Sequence, residues 1–212
     1  MNKNCLFFKI CYIILTFTCL GSCTKLKLNP PLVQKKIYFH PELDLAIASK
    51  LGVSYTYPSL KNKDIFLAKQ AAKYVFQELS TSIFFDQVTF WDNQDNLSAE
   101  QILNLATQRG FETMAIVSLN KAYFEGSYLS DTWLEEKINL YFLNPGSNLV
   151  LAKAYFKANG YHLSKKDLFI FSIPGQPASS LAELMQTNAK SFYQSLRKQL
   201  QHITKANPSN NP

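Results

Sequence analysis

The sequence has no cysteine after position 23, only seven glycines and only three histidines in 212 residues. Because every cysteine lies near the N-terminus, the rest of the chain has no internal disulfide and no thiolate metal site. The few glycines leave little material for a nucleotide-binding loop, and neither of the glycine-rich phosphate motifs nor a G-x-S-x-G nucleophile elbow occurs. These absences argue against the common cofactor-dependent and hydrolytic enzyme classes.

Metal-ligand patterns are missing as well. His40, His162 and His202 lie far apart in the sequence and share no ligand spacing, so we interpret them as loop or element-end residues. A calcium loop starting at Asp92 would need glycine at its sixth position and glutamate at its twelfth, but both are leucine. We therefore expect no metal, no cofactor and no enzymatic activity.

Basic residues exceed acidic ones, 22 against 15, which gives a formal net charge of +7. The lysines are scattered instead of forming one stripe or motif, and this argues against a nucleic-acid partner. An acidic partner such as anionic lipid headgroups and an ordinary solvated basic surface both fit the charge. We favour the solvated surface as the simpler interpretation.

The N-terminal segment has the composition of a secretory signal peptide. Lys3 and Lys9 give it a positive start, and an apolar run follows over residues 10–20. A membrane-spanning helix needs about 20 apolar residues, so a permanent span is the weaker alternative, open only if Lys9 snorkels. We predict that residues 1–22 are a signal peptide.

The end of this segment, Leu20-Gly21-Ser22-Cys23, resembles a bacterial lipobox. In that class of protein a diacylglycerol alkylates the cysteine thiol, and a fatty acid such as palmitate acylates the freed amine. The resemblance implies that Cys23 is the lipidated N-terminus, and cleavage would remove the other three cysteines. Thr24, where aspartate would favour inner-membrane retention, implies an outer-membrane location facing the periplasm. The alternative is a chance cysteine beside an ordinary cleavage site.

The remaining chain has the length of one domain. We assign residues 23–34 to a lipidated tether, which a proline pair stiffens. Residues 35–205 form a single periplasmic domain, and residues 206–212, rich in asparagine and proline, form a disordered tail.

Hydrophobic periodicity predicts an α/β (α+β) domain with the element order β-α-β-α-β-β-β-α. This order implies a mixed sheet of about five strands with three packed helices and a C-terminal pair of hairpin strands. The predicted strands cover residues 46–57, 84–91, 111–123, 132–143 and 149–158, and the helices cover residues 64–79, 98–110 and 180–203.

Local signals support this order. Ser98 and Gln101 form a capping box, and Gly110 ends the helix that follows. The continuous apolar run of residues 114–117 predicts a strand that is buried on both faces. Turn residues at 144–148 predict a β-hairpin, in which Glu136 interrupts the apolar face and is expected near an edge.

Aromatic residues are numerous, and most of them fall at core positions. Trp133 and Tyr141 lie instead on the polar face of their strand, and Phe169 and Phe171 belong to an apolar segment at 168–171. We take these four residues as candidates for contact with a partner or a membrane. The alternative for the apolar segment is that it folds under the last helix.

The element order, with Leu105-Ala106, Gly110, Ala115-Ile116-Val117 and the hairpin 144–154, resembles a known group of small α/β domains. The group comprises the TolB N-terminal region, the curli secretion lipoprotein CsgG and the penicillin-binding-protein activator LpoB. The resemblance covers residues 46–204 at the level of pattern. This chain departs from the group in one turn: where the group has a Gly-Ala-Asp-type turn, this chain has Phe111-Glu112 and lacks the usual acidic residue. It implies a non-catalytic domain that binds other envelope proteins, and it does not extend to pore formation.

The sequence thus predicts a non-catalytic outer-membrane lipoprotein that binds or positions another cell-envelope component in assembly, secretion or maintenance. The membrane is contacted through the acyl chains, and an envelope protein is the expected partner. One alternative is an accessory lipoprotein of a lipid or solute transport system, with the segment 168–171 as its contact. A further alternative is a periplasmic hydrolase whose site is assembled from dispersed residues.

Overall fold

A computed structural model describes residues 32–57, 62–124, 130–162 and 181–206. In chain order, the elements are strand β1 Leu32–Phe39, a 3-10 helix Pro41–Ala46, strand β2 Ser49–Thr56, helix α1 Asn62–Ser80, strand β3 Phe85–Phe90, helix α2 Ala99–Gln108, strands β4 Thr113–Phe124, β5 Ser130–Phe142 and β6 Leu149–His162, and helix α3 Leu181–Ala206. The predicted order from the second strand onward is confirmed.

The strands form one mixed sheet in the order β1-β6-β5-β4-β2-β3. The strands β3, β2 and β4 are parallel to one another because helices connect them, whereas β4, β5, β6 and β1 pair antiparallel. The fold class is therefore the predicted one, with six strands in place of about five.

The additional strand is β1, which lies at one edge of the sheet and pairs antiparallel with β6. Its sequence, LVQKKIYF, has two lysines side by side, which obscures the alternation that marks a half-buried strand. β1 begins at Leu32, so its first three residues belong to the segment 23–34 that was predicted as tether.

Two helices cover one face of the sheet. α1 packs on β2, β3 and β4, and α3 packs beside it on β5 and β6. Their apolar sides and the inward side chains of the strands form the main core. Its fully buried members include Val53, Tyr55, Val75, Val117, Leu134, Ile138, Leu140, Phe156 and Phe192.

The short helix α2 lies on the opposite face, against β2 and β4. Ile102, Leu103 and Ala106 of α2 pack on Met114 and Ile116 in a second, smaller core. All four residues of the run 114–117 are buried, two in each core, which confirms the prediction of a strand buried on both faces.

The predicted boundaries of α2 are confirmed. The Ser98 side chain accepts a hydrogen bond from the Gln101 backbone N–H, and the Gln101 side chain accepts one from Ser98 N. At the other end Gly110 has a φ of +74°, a left-handed conformation that strains any residue with a Cβ.

Within the described residues, no helix is long and apolar enough to cross a membrane. The predicted signal peptide lies outside those residues, and so does the tail after Ala206, the last residue of α3.

Candidate binding surface

Of the site residues predicted from the sequence, the structure describes only Trp133 and Tyr141. The predicted lipobox residues Leu20, Gly21 and Ser22, the predicted lipidation residue Cys23, and both Phe169 and Phe171 lie outside the described residues. Trp133 belongs to β5, where its backbone pairs with Tyr123 and Asn159.

Tyr141 is half-buried at the border of the second core. It lies opposite Met114 of β4, and its hydroxyl oxygen accepts a hydrogen bond from Asn139 Nδ2 at 3.2 Å. The side chain therefore packs under α2 on one side and ends at the surface on the other.

On the same face of the sheet as α2, the strands β5, β6 and β1 carry no helix in the described part of the chain. Tyr141 lies at the border of this uncovered area. α2 is only ten residues long and covers β2 and β4, and among the described residues no other helix lies on this face. Because side chains alternate along a strand, the outward positions of β1, β6 and β5 form one continuous surface. We call it the open face; its described side chains are Gln34, Lys36, Tyr38, Glu135, Lys137, Asn139, Tyr141, Val150, Lys153, Tyr155 and Lys157.

Lysine and tyrosine alternate across the open face. In one cross-strand row Tyr155 lies between Lys36 and Lys137, and in the next row Lys153 lies between Tyr38 and Asn139. Directly opposite side chains in such rows have Cβ atoms about 5 Å apart.

The open face is basic. Lys36, Lys137 and Lys153 are exposed, and Tyr38 is 62% exposed. Glu135 is the single acidic member among the described side chains of this face, and it forms an ion pair with Lys157 at 3.6 Å.

This surface was not predicted from the sequence. One signal was available, because Lys153, Tyr155 and Lys157 alternate with alanine and phenylalanine at a period of two, which places all three on one face. The two lysines of β1 fall at the start of the predicted domain, where no strand was predicted, so the cross-strand rows that Lys36 completes could not be anticipated.

A second polar cluster lies at the carboxyl ends of the parallel strands β2 and β3. Asp92, just after β3, accepts hydrogen bonds from the Tyr55 hydroxyl, from the Lys69 ammonium of α1 and from Gln94 Nε2. Burial alone would raise the pKa of Asp92, but the three donors outweigh it and hold the pKa below its usual range. Burial and the bond to Asp92 raise the pKa of Tyr55.

This cluster joins three elements. Asp92 holds β3 to α1 through Lys69 and to β2 through Tyr55, and its neighbour Asn93 is buried. Asn93 donates to the backbone oxygens of Tyr55 and Leu97 and accepts from Leu97 N, which fixes the loop before α2. The segment between β3 and α2 thus serves as a turn that fixes the start of α2.

Glu136 corrects one local expectation. It lies on the central strand β5 and is fully buried, whereas the sequence suggested a position near an edge. Its Oε2 accepts a hydrogen bond from Asn188 Nδ2 of α3 at 2.8 Å. Burial raises the pKa of Glu136 to about 7, and the bond from Asn188 offsets only part of that rise.

His40 has a local structural role. His40 accepts a hydrogen bond from Glu42 N through Nδ1 and caps the 3-10 helix. In the part of the chain that the structure describes, no three His, Cys, Asp or Glu side chains form a metal-binding group.

Comparisons with known proteins concern the fold. No protein-family model and no curated protein matches the chain. Among solved structures, the PelC dodecamer from Paraburkholderia phytofirmans matches with a TM-score of 0.51 and 11% identity, over 78% of this chain and 97% of that chain. At this identity, the match shows a shared fold.

Two further similar structures have TM-scores below 0.5. Lipoprotein GNA1162 from Neisseria meningitidis has a TM-score of 0.37 and 14% identity, over 71% of this chain and 99% of that chain. TolB from Acinetobacter baumannii has a TM-score of 0.32 and 15% identity, over 78% of this chain and 31% of that chain. The match to PelC alone shows the shared α/β fold.

Proposed function

We propose that this chain is a non-catalytic outer-membrane lipoprotein whose periplasmic domain binds or positions another component of the cell envelope. The observation that carries the proposal is the open face. It is a preformed surface on three strands, and its lysines and the tyrosines Tyr38 and Tyr155 point away from the main core.

The position of the open face in the fold supports a binding role. α1 and α3 cover the opposite face of the sheet and pack on the main core, so the exposed side chains of the open face lie outside that core. Substitutions of exposed surface side chains usually change stability little, so the exposed lysines and Tyr38 of this face are available for contact.

The lipobox supports the location. Lipidation at Cys23 would fix the domain to a bilayer, since each buried methylene of an acyl chain contributes about 0.8 kcal/mol. An envelope protein is the expected partner. Because PelC forms a dodecamer, a second copy of this chain is a partner to measure in parallel.

Photo-crosslinking in intact cells tests the proposal. A photoreactive phenylalanine replaces Tyr155 on the open face or Tyr74 on α1, both of which are half-buried in the native chain. We expect adducts with an envelope component from at least one of the two positions, and we expect Cys23→Ala to abolish them. A chain that gives no adduct from either position and fractionates with soluble periplasmic proteins would contradict the proposal.

A further inference from the structure

The open face lies close to the predicted anchor. Eight residues, 24–31, separate Cys23 from Leu32, where β1 begins. A chain of that length spans at most about 30 Å when fully extended. Since β1 is the outer strand of the open face, an anchor at Cys23 holds this edge of the sheet near the bilayer.

The charge of the open face complements an anionic surface. The exposed ammonium groups of Lys36, Lys137 and Lys153 are point charges suited to phosphate groups. The acidic Glu135 is paired with Lys157, so the described side chains of the face carry a net positive charge.

The tyrosines suit the same partner. Tyr38 and Tyr155 present a ring and a hydroxyl beside the lysines. Aromatic side chains with one polar end concentrate at membrane interfaces, where the ring contacts acyl chains and the hydroxyl stays among headgroups.

The shape of the open face fits an extended partner. Two surface grooves of about 510 Å³ lie elsewhere, one along α1 and one between α2 and the turn at 144–148. On the open face the lysines are spread over three neighbouring strands, about 5 Å apart from one strand to the next. This spacing offers several separate contacts to a broad surface.

We propose that the open face is a membrane-docking surface that rests on the anionic phospholipid headgroups of the bilayer carrying the anchor. The proposal rests on the proposed function, since it uses the anchor at Cys23. In this orientation α1 and α3 face away from the bilayer and are presented to partners in the periplasm.

Two matched cysteine probes test the orientation. Tyr38→Cys lies on the open face and Phe66→Cys on the outer side of α1, where the native side chains are 62% and 64% exposed. The lipidated full chain is placed in vesicles of phosphatidylcholine alone or of phosphatidylcholine with phosphatidylglycerol. The rate of labelling by a water-soluble maleimide is then measured at each probe.

We expect phosphatidylglycerol to slow labelling at position 38 by at least about fivefold and to leave position 66 unchanged. Salt at about 1 M, which shortens the Debye length to about 3 Å, should restore the rate. Charge reversal of the face by K36E, K137E and K153E together should restore it as well. The control is reversal of three exposed helix lysines by K73E, K190E and K198E, which changes the net charge equally and should not restore the rate.

The outcomes separate the two proposals. Equal labelling rates in both vesicle types, with the chain still bound to them, would overturn docking and leave the anchored binding domain in place. Slow labelling at position 38 without vesicles would show that a second copy covers the face, and this also overturns docking. A native chain that fails to bind any vesicle would overturn the anchor, and docking with it.

Discussion

At the scale of single residues, Glu136 has a neutral environment in the centre of the sheet. Leu119 of β4 and Phe156 of β6 flank it, and Asn188 is its polar contact among the described residues. Its pKa rises from 4.5 to about 7 in the fold, so around pH 6 the folded protein keeps a proton that the unfolded chain has released. The resulting stability is fully present below pH 4.5 and is lost as the pH rises through about 7.

Glu136→Gln should remove this pH dependence. Between pH 4.5 and pH 7 the wild type should lose at most about 3 kcal/mol of unfolding free energy through Glu136, and the variant should not show that loss. Urea unfolding across this range measures the difference. Glu100→Gln, which removes an exposed carboxyl on α2, is the control and should leave the pH dependence as it is. Parallel curves for the wild type and Glu136→Gln would contradict the assignment.

The ion pair between Lys69 and Asp92 is the second feature at the scale of single residues. Lys69→Met leaves the Asp92 carboxylate without its cation, and we expect a loss of about 1 kcal/mol at neutral pH. Since the fold lowers the pKa of Asp92, the stability it contributes is present above the ordinary pKa of 3.8. This stability is lost as the pH falls through the lowered pKa that Asp92 has in the folded protein. The unfolding free energies of the wild type and the variant should therefore become equal in acid.

The matched control is Lys73→Met, one turn further along α1 and exposed. Thermal unfolding of both variants at neutral and acid pH makes the comparison. If Lys73→Met destabilised the protein as much as Lys69→Met does, the ion pair with Asp92 would not be the cause.

At the scale of elements, α2 depends on its N-terminal cap because it is only ten residues long. Ser98→Ala removes the side-chain oxygen that accepts from Gln101 N, and such a change costs about 1 kcal/mol. Ser147→Ala, in the exposed turn of the β5–β6 hairpin, should have no comparable effect. Chemical denaturation compares the two, and equal losses would show that the capping box is not the source.

The second feature at the scale of elements is the close contact between Gly52 of β2 and Met114 of β4. A Cβ added at Gly52 would meet Met114 Sδ at 2.5 Å, so Gly52→Ala overpacks the second core and should cost about 1–3 kcal/mol. In a Met114→Ala background the same change should cost less than about 0.5 kcal/mol, because the sulfur is gone. Full additivity of the two substitutions in urea unfolding would rule out this contact as the cause.

At the scale of the whole molecule, most of the fold could be predicted from local patterns. The capping box at Ser98, the apolar run at 114–117 and the turn at 144–148 are each complete within a few residues of sequence. In the structure these signals correspond to the start of α2, to the buried strand β4 and to the turn of the β5–β6 hairpin. β1 was missed because an edge strand with adjacent lysines lacks a clear alternation.

Little of the candidate site could be predicted, because it depends on long-range pairing. Lys36, Tyr155 and Lys137 become neighbours only when β6 pairs with both β1 and β5. The face they form is open only because α2 covers other strands. Glu136 was expected near an edge for the same reason, since the strand order that buries it is not visible in the sequence around it.

The proposed function and the proposed membrane docking of the open face both depend on a lipid anchor at Cys23. Mass spectrometry of the N-terminal peptide of the protein purified from membranes tests this most directly. We predict a peptide that begins at Cys23, carries a diacylglyceryl group on its sulfur and lacks residues 1–22. An N-terminal peptide that retains residues 1–22, or one that begins at Cys23 with a free thiol, would contradict the predicted anchor.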